Sequence, residues 1–192
     1  MTRSRVGLVV LAAAVVGALV YGLTHHGSTA PSASSLQPLR AAAALRPCPT
    51  GVSPDLPDLT LACLGGGAPV RLHGPASGVP TLVNLYGSWC GPCQREMPLL
   101  AAFARAAGDR VALLGVDTED DQRLALLFAK DVGQTWNAVV DDDKQVLIRY
   151  GGGVPQTLFI DATGHVVHVK RGPFRDGAEL RALTRQYLGV AV

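Results

Sequence analysis

The chain has 192 residues, of which 48% are hydrophobic and 17% are charged, so it can bury one sizeable core and is not disordered as a whole. Its formal net charge is +2, and Arg3 and Arg5 at the N-terminus account for that whole excess. The rest of the chain is balanced in charge, which excludes nucleic acid as a partner because no basic surface is available for phosphates.

The most apolar segment follows these two arginines: residues 6–23 carry no charge. A helix of this length spans about 27 Å, close to the roughly 30 Å hydrocarbon core of a bilayer. A core helix is a poor alternative because the segment is apolar on every side. We predict a single-pass transmembrane anchor at residues 1–24, so that the arginines stay in the cytoplasm and the rest lies outside. A cleaved signal peptide is the alternative, although the nearest cleavage site, residues 28–30, is followed by a proline.

The next segment, residues 25–46, is rich in Ser, Ala and Pro and has no sustained apolar period. This composition predicts a flexible linker, which leaves residues 47–192 as the folded domain. His25 and His26 have no third ligand nearby, so they are predicted to be interfacial polar residues rather than metal ligands.

Strand-like and helix-like segments alternate through the folded domain. In chain order they are a β-hairpin (59–64 and 70–73), a buried strand (81–85), a helix kinked at Pro98 (93–107), a second buried strand (111–116), an amphipathic helix (120–132), a short strand (138–140), a short helix (144–150), a second hairpin (157–160 and 166–170) and a closing helix with Leu180, Leu183, Tyr187 and Leu188 on its apolar face. In the amphipathic helix, Leu124, Leu127 and Phe128 have the spacing of a buried stripe. The order predicts an α/β fold with a mixed sheet and helices on both faces.

Two of the four cysteines form a close pair: Cys90 and Cys93 flank Gly91-Pro92 between a predicted buried strand and a predicted helix. The first then lies at a helix N-terminus, where unpaired N–H groups and the helix dipole stabilise a thiolate. The second lies one turn further on, within reach of a mixed disulfide formed by the first. A zinc site is the alternative, but neither Cys48 nor Cys63 has a partner at metal spacing. We therefore predict dithiol–disulfide exchange, with no metal and no other cofactor.

Trp89-Cys90-Gly91-Pro92-Cys93 after an apolar strand resembles the thioredoxin active site. The wider pattern is similar to the membrane-anchored TlpA/ResA-like branch of extracytoplasmic thioredoxin-like proteins. The matching positions are residues 83–93, Glu96, Pro98, Gly115-Val116-Asp117, Tyr150-Gly151, residues 153–161 and Gly164. The resemblance covers about residues 59–188. It implies a thioredoxin fold with an N-terminal β-hairpin and a central αβ insertion at about residues 117–150.

The resemblance also implies roles for single residues. Pro155 matches the family's cis-proline, so Val154 and Pro155 would present their backbone to a substrate chain, and Trp89 would shelter the dithiol. Asn84 stands where thioredoxins have a buried aspartate that relays protons to the second cysteine. Glu96 matches a glutamate of this branch and is the candidate substitute for that aspartate, with a solvated helix glutamate as the alternative.

Cys48 and Cys63 lie outside this motif. Spare cysteines usually pair in an oxidising compartment, and their bond would close a loop of about 15 residues, worth about 3 kcal/mol in the chain-entropy model. We therefore expect a structural disulfide that fastens the proline-rich segment 48–57 to the first hairpin. The alternative is a second redox pair that passes electrons to Cys90 and Cys93.

Together these features predict an extracytoplasmic, membrane-tethered thiol–disulfide oxidoreductase with Cys90 and Cys93 as its catalytic pair. The Gly-Pro dipeptide and the resemblance favour reduction of protein disulfides. In cytochrome c maturation the substrate would be an apocytochrome, and a transmembrane thiol carrier would supply the electrons. The alternatives are oxidation or isomerisation of secreted-protein disulfides and a non-enzymatic binding module with this fold. A peroxiredoxin-type peroxidase is excluded because Gly87 stands where that chemistry needs a threonine.

Overall fold

The computed structural model of the chain describes residues 33–49 and 51–192. The predicted anchor at residues 1–24 and the histidine pair after it therefore lie outside the described residues. Within the described ranges, no helix combines the length and the apolar composition that crossing a bilayer requires.

Seven strands make up one mixed sheet: β1 (Thr60–Cys63), β2 (Val70–Arg71), β3 (Thr81–Tyr86), β4 (Ala112–Thr118), β5 (Asn137–Asp141), β6 (Gln156–Ile160) and β7 (Val166–Arg171). Their order across the sheet is β2-β1-β5-β4-β3-β6-β7. β3, β4 and β5 are parallel, while β1 and β6 run antiparallel to their neighbours. β3, which has a neighbouring strand on each side, is buried along its whole length, in agreement with its mostly apolar sequence.

The described helices are α1 (Ala33–Ala43), α2 (Gly91–Ala107), α3 (Gln122–Asp131), α4 (Gln145–Tyr150) and α5 (Gly177–Leu188). α2 and α5 pack on one face of the sheet, where Met97 and Leu180 join Tyr86 and Phe159 in one core cluster. α4 packs on the other face, where Val146 joins the strand residues that alternate with the first set. α2 continues through Pro98. This two-sided arrangement confirms the predicted thioredoxin-like α/β fold.

The N-terminal hairpin is part of the main sheet. β1 pairs with β2 as predicted and also runs antiparallel to β5, with Cys63 opposite Val139. β5 lies within the predicted insertion (117–150) and extends the parallel strands beyond β4. The hairpin and the insertion therefore stabilise each other at one edge of the fold.

The predicted linker (25–46) needs a correction, because α1 lies inside it. Leu36 and Ala43 are buried and pack against the small residues of α3. Arg40 Nε donates to the carbonyl oxygen of Leu64 at 3.1 Å. The folded part of the chain therefore begins before the predicted boundary. The short Ala- and Ser-rich sequence of α1 gives little sign of this, since its contacts come from a distant helix.

The predicted buried stripe of α3 is also corrected. Leu124 and Leu127 are 55% and 41% exposed, and Phe128 packs only at the margin of the core. The buried residues of the helix are Ala125, Leu126 and Ala129. Leu36 and Ala43 of α1 belong to the same buried cluster as these three residues.

Candidate active site

The active-site loop, residues 87–90, leads from the end of β3 into α2. Cys90 is the N-cap of α2, and its Sγ accepts from the backbone N–H of Cys93 at 3.2 Å. The two cysteines are joined by a disulfide with 5.2 Å between their Cα atoms. Cys90 is 4% exposed and Cys93 1%. The predicted position of the first cysteine at a helix N-terminus is confirmed.

Trp89 lies beside the loop with 57% of its surface exposed. Its indole Nε1 donates to the carbonyl oxygen of Glu119 at 3.0 Å. The ring also lies against Gly87, where a Cβ would be only 2.6 Å from Nε1. A side chain at position 87 would therefore displace the indole, which explains the glycine.

Asp120 holds the active-site loop from the β4–α3 connection. Its carboxylate accepts from the backbone N–H of Ser88 and, at 2.8 Å, from the Ser88 hydroxyl. This residue was missed in the sequence. A signal was present, because the acidic run 119–121 follows β4, and the carboxyl ends of neighbouring parallel strands meet at one edge of a sheet.

Glu96 is a buried residue of α2, one turn after Cys93, and is 2% exposed. Its Oε1 accepts from Asn84 Nδ2 at 2.9 Å, and its Oε2 accepts from the backbone N–H of Phe174 at 2.8 Å. The alternative of a solvated helix glutamate is therefore wrong. Asn84 also donates to Thr157 Oγ1 at 3.0 Å, which fixes its amide against β6.

Burial is the main influence on the acidity of Glu96 and raises the pKa of its carboxyl. The hydrogen bonds from Phe174 and Asn84 and the positive charge of Lys170 lower this pKa in part. The result is a carboxyl group that binds a proton more readily than an exposed glutamate does.

Pro155 follows a cis peptide bond after Val154, as the resemblance implies. The next residue, Gln156, begins β6 and pairs with Leu85 near the end of β3. Pro155 therefore lies at the sheet edge where β3 enters the active-site loop. Val154 packs partly against the core cluster that contains both active-site cysteines. The Pro155 carbonyl accepts from the backbone N–H of Gly172 at 3.0 Å.

The second cysteine pair is also joined, since a disulfide links Cys48 to Cys63 with 6.0 Å between Cα atoms. Cys63 is the last residue of β1, and β5 and β4 separate β1 from β3. Three strand spacings amount to about 14 Å. The structure therefore does not bring this disulfide together with the Cys90–Cys93 pair.

Asp117 is a second buried acid near the active-site loop. It lies next to Tyr86 in the β3–β4 register, and both side chains are fully buried. In the described part of the chain, neither carboxyl oxygen of Asp117 nor the Tyr86 hydroxyl has a hydrogen-bond partner. Burial, assisted by the nearby charge of Asp120, raises the pKa of Asp117 to about 9.

Among the described residues, no cluster of three or more His, Cys, Asp and Glu could hold a metal ion.

Proteins of similar sequence are named as thiol–disulfide exchange proteins. One is the thiol:disulfide interchange protein DsbE homolog of Paracoccus denitrificans, which is 35% identical over 94 residues. This match covers 48% of this chain and 50% of that protein. The chain is also 27% identical over 139 residues to HelX of Rhodobacter capsulatus, and this match covers 71% of this chain and 77% of HelX. It is 31% identical over 97 residues to ResA of Bacillus subtilis, covering 50% and 54%. The chain thus spans about half the length of the Paracoccus and Bacillus relatives.

Solved structures share the fold. One is a secreted Mycobacterium tuberculosis disulfide oxidoreductase homologous to E. coli DsbE, with a TM-score of 0.56 and 23% identity over 65% of this chain and 96% of that chain. Another is StoA from Bacillus subtilis, with a TM-score of 0.55 and 22% identity over 69% and 98%. Finally, residues 50–186 match the Redoxin family. The chain therefore belongs to the Redoxin family, and its named relatives agree with the TlpA/ResA-like branch that its motifs resemble.

Proposed function

We propose that this protein is a thiol–disulfide oxidoreductase in which Cys90 reacts with the substrate and Cys93 resolves the mixed disulfide. The observation that carries this proposal is the Cys90–Cys93 disulfide at the N-terminus of α2. The N–H of Cys93 points at Cys90 Sγ and would stabilise a thiolate there. Cys90 is also slightly more exposed than Cys93, at 4% against 1% of the residue surface.

In the reducing direction, the Cys90 thiolate attacks a substrate disulfide and expels one substrate thiolate, leaving a mixed disulfide. The Cys93 thiolate then attacks Cys90 Sγ and expels the second substrate thiolate. The enzyme dithiol is oxidised to the Cys90–Cys93 disulfide, and two electrons pass to the substrate. Two protons complete the substrate thiols, and Cys93 must lose its own proton before it attacks.

Glu96 is our candidate for handling the proton of Cys93. Asn84 cannot titrate, so the buried aspartate of thioredoxins has no counterpart on β3. Glu96 instead supplies a buried carboxyl from α2, with its orientation fixed by Asn84 and by the Phe174 N–H. Its raised pKa brings it nearer to that of a thiol, which suits proton exchange between the two groups.

The substrate of this proposal is a protein disulfide, bound with its backbone against Val154 and Pro155 and with Trp89 at the side. The family resemblance favours reduction, with apocytochrome c cysteines as the substrate class and a transmembrane thiol carrier as the electron source. The apolar segment 6–23 supports a membrane-tethered domain outside the cytoplasm. Oxidation of secreted-protein disulfides is the second candidate.

A turnover assay with the full chain tests the activity. The protein with dithiothreitol should catalyse insulin reduction, Cys90→Ser should abolish it, and Cys93→Ser should accumulate mixed disulfides through Cys90. Absence of catalysis would favour a binding module, and a Cys93 more reactive than Cys90 toward alkylation would contradict the assigned roles.

The reduction potential of the Cys90–Cys93 pair tests the direction. A value near that of thioredoxin, about −270 mV, supports a reductase. A value near that of the oxidant DsbA, about −120 mV, supports an oxidase instead.

A further inference from the structure

Lys170 on β7 lies at the end of a row of paired residues that crosses the sheet toward Glu96. The strand register pairs Asn84 with Thr157 and Thr157 with Lys170. Directly paired residues direct their side chains to the same face of a sheet. Asn84, at the other end of the row, donates to Glu96. Lys170 is therefore on the face where the buried carboxyl lies.

The Lys170 ammonium group is surrounded by the segment that follows its own strand. Its Nζ donates to the carbonyl oxygens of Arg171, Gly172 and Pro173, at 3.2, 3.1 and 2.9 Å. It also lies 5.6 Å from the centre of the Phe174 ring, within the range of a cation–π contact. All three N–H donors of the ammonium are thus used to hold segment 171–173 in one conformation.

The same stretch of chain delivers two backbone N–H groups to the active site. Gly172 donates to the carbonyl of Pro155, and Phe174 donates to Glu96 Oε2. We propose that Lys170 is a positioning residue for thiol–disulfide exchange, which holds segment 171–173 so that these two N–H groups reach the cis-proline and Glu96. This inference rests on the proposed function of the site.

Lys170 also acts on Glu96 through its charge. The other charged group that faces this carboxyl is Glu179 of α5, which opposes the effect of Lys170 on the Glu96 pKa. Glu179 is itself held by Arg175, whose backbone N–H donates to it at 2.6 Å and whose Nε lies 3.5 Å away. Cys93 is the titratable neighbour on the same helix. Loss of the ammonium therefore removes the cation that opposes Glu179 and weakens one N–H bond to Glu96.

The test compares Lys170→Met, Lys170→Arg and the control Lys130→Met, which removes an exposed lysine from α3. In the reduced full-length protein, carbon-13 NMR follows the titration of the Glu96 carboxyl, and hydrogen exchange follows the Phe174 and Gly172 amides. We expect Lys170→Met to raise the Glu96 pKa by about half a unit to one unit, because a nearby cation favours the charged carboxyl. Amide exchange should accelerate at least about tenfold as these bonds loosen.

The pH profile of insulin reduction should move upward in Lys170→Met by the same amount, and Lys170→Arg should restore both readouts. If Lys170→Met does not fold, Lys170→Gln replaces it and should show the same shift. A Glu96 titration and amide exchange equal to those of Lys130→Met would overturn the proposal. The NMR measurements need no turnover, so they test the effect of Lys170 on Glu96 and on the two amides independently of activity. A wild-type protein that fails to reduce insulin would contradict the proposed function but not this effect.

Discussion

At the scale of single residues, the buried carboxyl nearest to Cys93 in the chain, that of Glu96, lies on a helix, and its amide partner Asn84 lies on a strand. Asn84 donates from β3, and Glu96 accepts from α2. Glu96 thereby lies in the cysteine helix itself, one turn from Cys93, and also receives the Phe174 N–H. The proposed proton exchange between Glu96 and Cys93 would thus take place between two residues of one helix.

The Glu96→Gln substitution tests this arrangement. Removal of a negative charge near the dithiol should lower an active-site thiol pKa, and loss of the titrating group should slow exchange. Folding should change little, because the Asn84 amide can turn over so that its Oδ1 accepts from the new NH2 group and from the Thr157 hydroxyl, while the new amide oxygen still accepts from the Phe174 N–H. Thiolate absorbance gives the pKa, and Asp131→Asn at an exposed site is the control. Superimposable titration curves for Glu96→Gln and wild type would refute the role of Glu96.

At the scale of elements, the β4–α3 connection is the support of the active-site loop. It contacts two consecutive loop residues, Ser88 through the Asp120 carboxylate and Trp89 through the Glu119 carbonyl. Glu119 has a left-handed backbone with φ of 52°, and its carboxylate pairs with Lys144 at 3.0 Å. The exposed ion pair with Lys144 thus adds a further contact to this connection.

Asp120→Ala should loosen the active-site loop. The backbone N–H and the hydroxyl of Ser88 would both lose a charged acceptor. A hydrogen bond to a charged group contributes about 1.5–3 kcal/mol. We expect faster hydrogen exchange at the Ser88 and Trp89 amides and a decrease of about tenfold in kcat/KM for insulin reduction. Asp131→Ala, an exposed acid at the end of α3, serves as the matched control. Unchanged exchange and unchanged kcat/KM would show that the loop holds its conformation without Asp120.

The Cys48–Cys63 disulfide joins the segment before the N-terminal hairpin to strand β1, and we propose that it is structural. The double variant Cys48→Ser, Cys63→Ser opens a loop whose ends are 15 residues apart. It should therefore lose at most about 3 kcal/mol of stability and keep its activity. Urea unfolding and the insulin assay measure the two effects, and mild reductant should open Cys90–Cys93 first. Loss of turnover in a correctly folded variant would support an electron relay instead.

At the scale of the whole molecule, the buried Asp117 makes folding stability depend on pH. Its pKa of about 9 lies far above the ordinary value of 3.8. The native state therefore binds more protons than the unfolded state between these values, and stability decreases as pH rises through that range. The stability that the protonated carboxyl contributes is fully present below the ordinary pKa of 3.8 and is lost as pH rises toward about 9.

Asp117→Asn should remove this dependence. At pH 7 the variant should be more stable than the wild type by on the order of 4 kcal/mol, and near pH 4 the two should agree. Urea unfolding at both pH values measures the difference, and Asp131→Asn gives the behaviour of an exposed acid. Equal pH dependence in the variant and the wild type would mean that Asp117 is not the titrating group.

The sequence by itself determined those features that depend on residues close together in the chain. The position of Cys90 before a helix and the chain order of strands and helices follow from short patterns, whereas the cis-proline at 155 came from the family resemblance. Helix ends and the alternation of apolar residues act over a few positions, so they can be recognised in the sequence alone. The fold class and the catalytic pair could therefore be predicted.

Only the tertiary structure decided which distant groups meet at the site. Glu96 contacts Asn84 across 12 residues and Phe174 across 78, and Asp120 reaches Ser88 across 32. The exposure of Leu124 and the burial of α1 likewise follow from which helices pack together. Burial and hydrogen bonding are set by neighbours in space, and a local pattern leaves those neighbours open. For this reason the sequence left Glu96 undecided between a solvated and a buried site, and the packing of α2 against β3 and the β7–α5 loop resolved it.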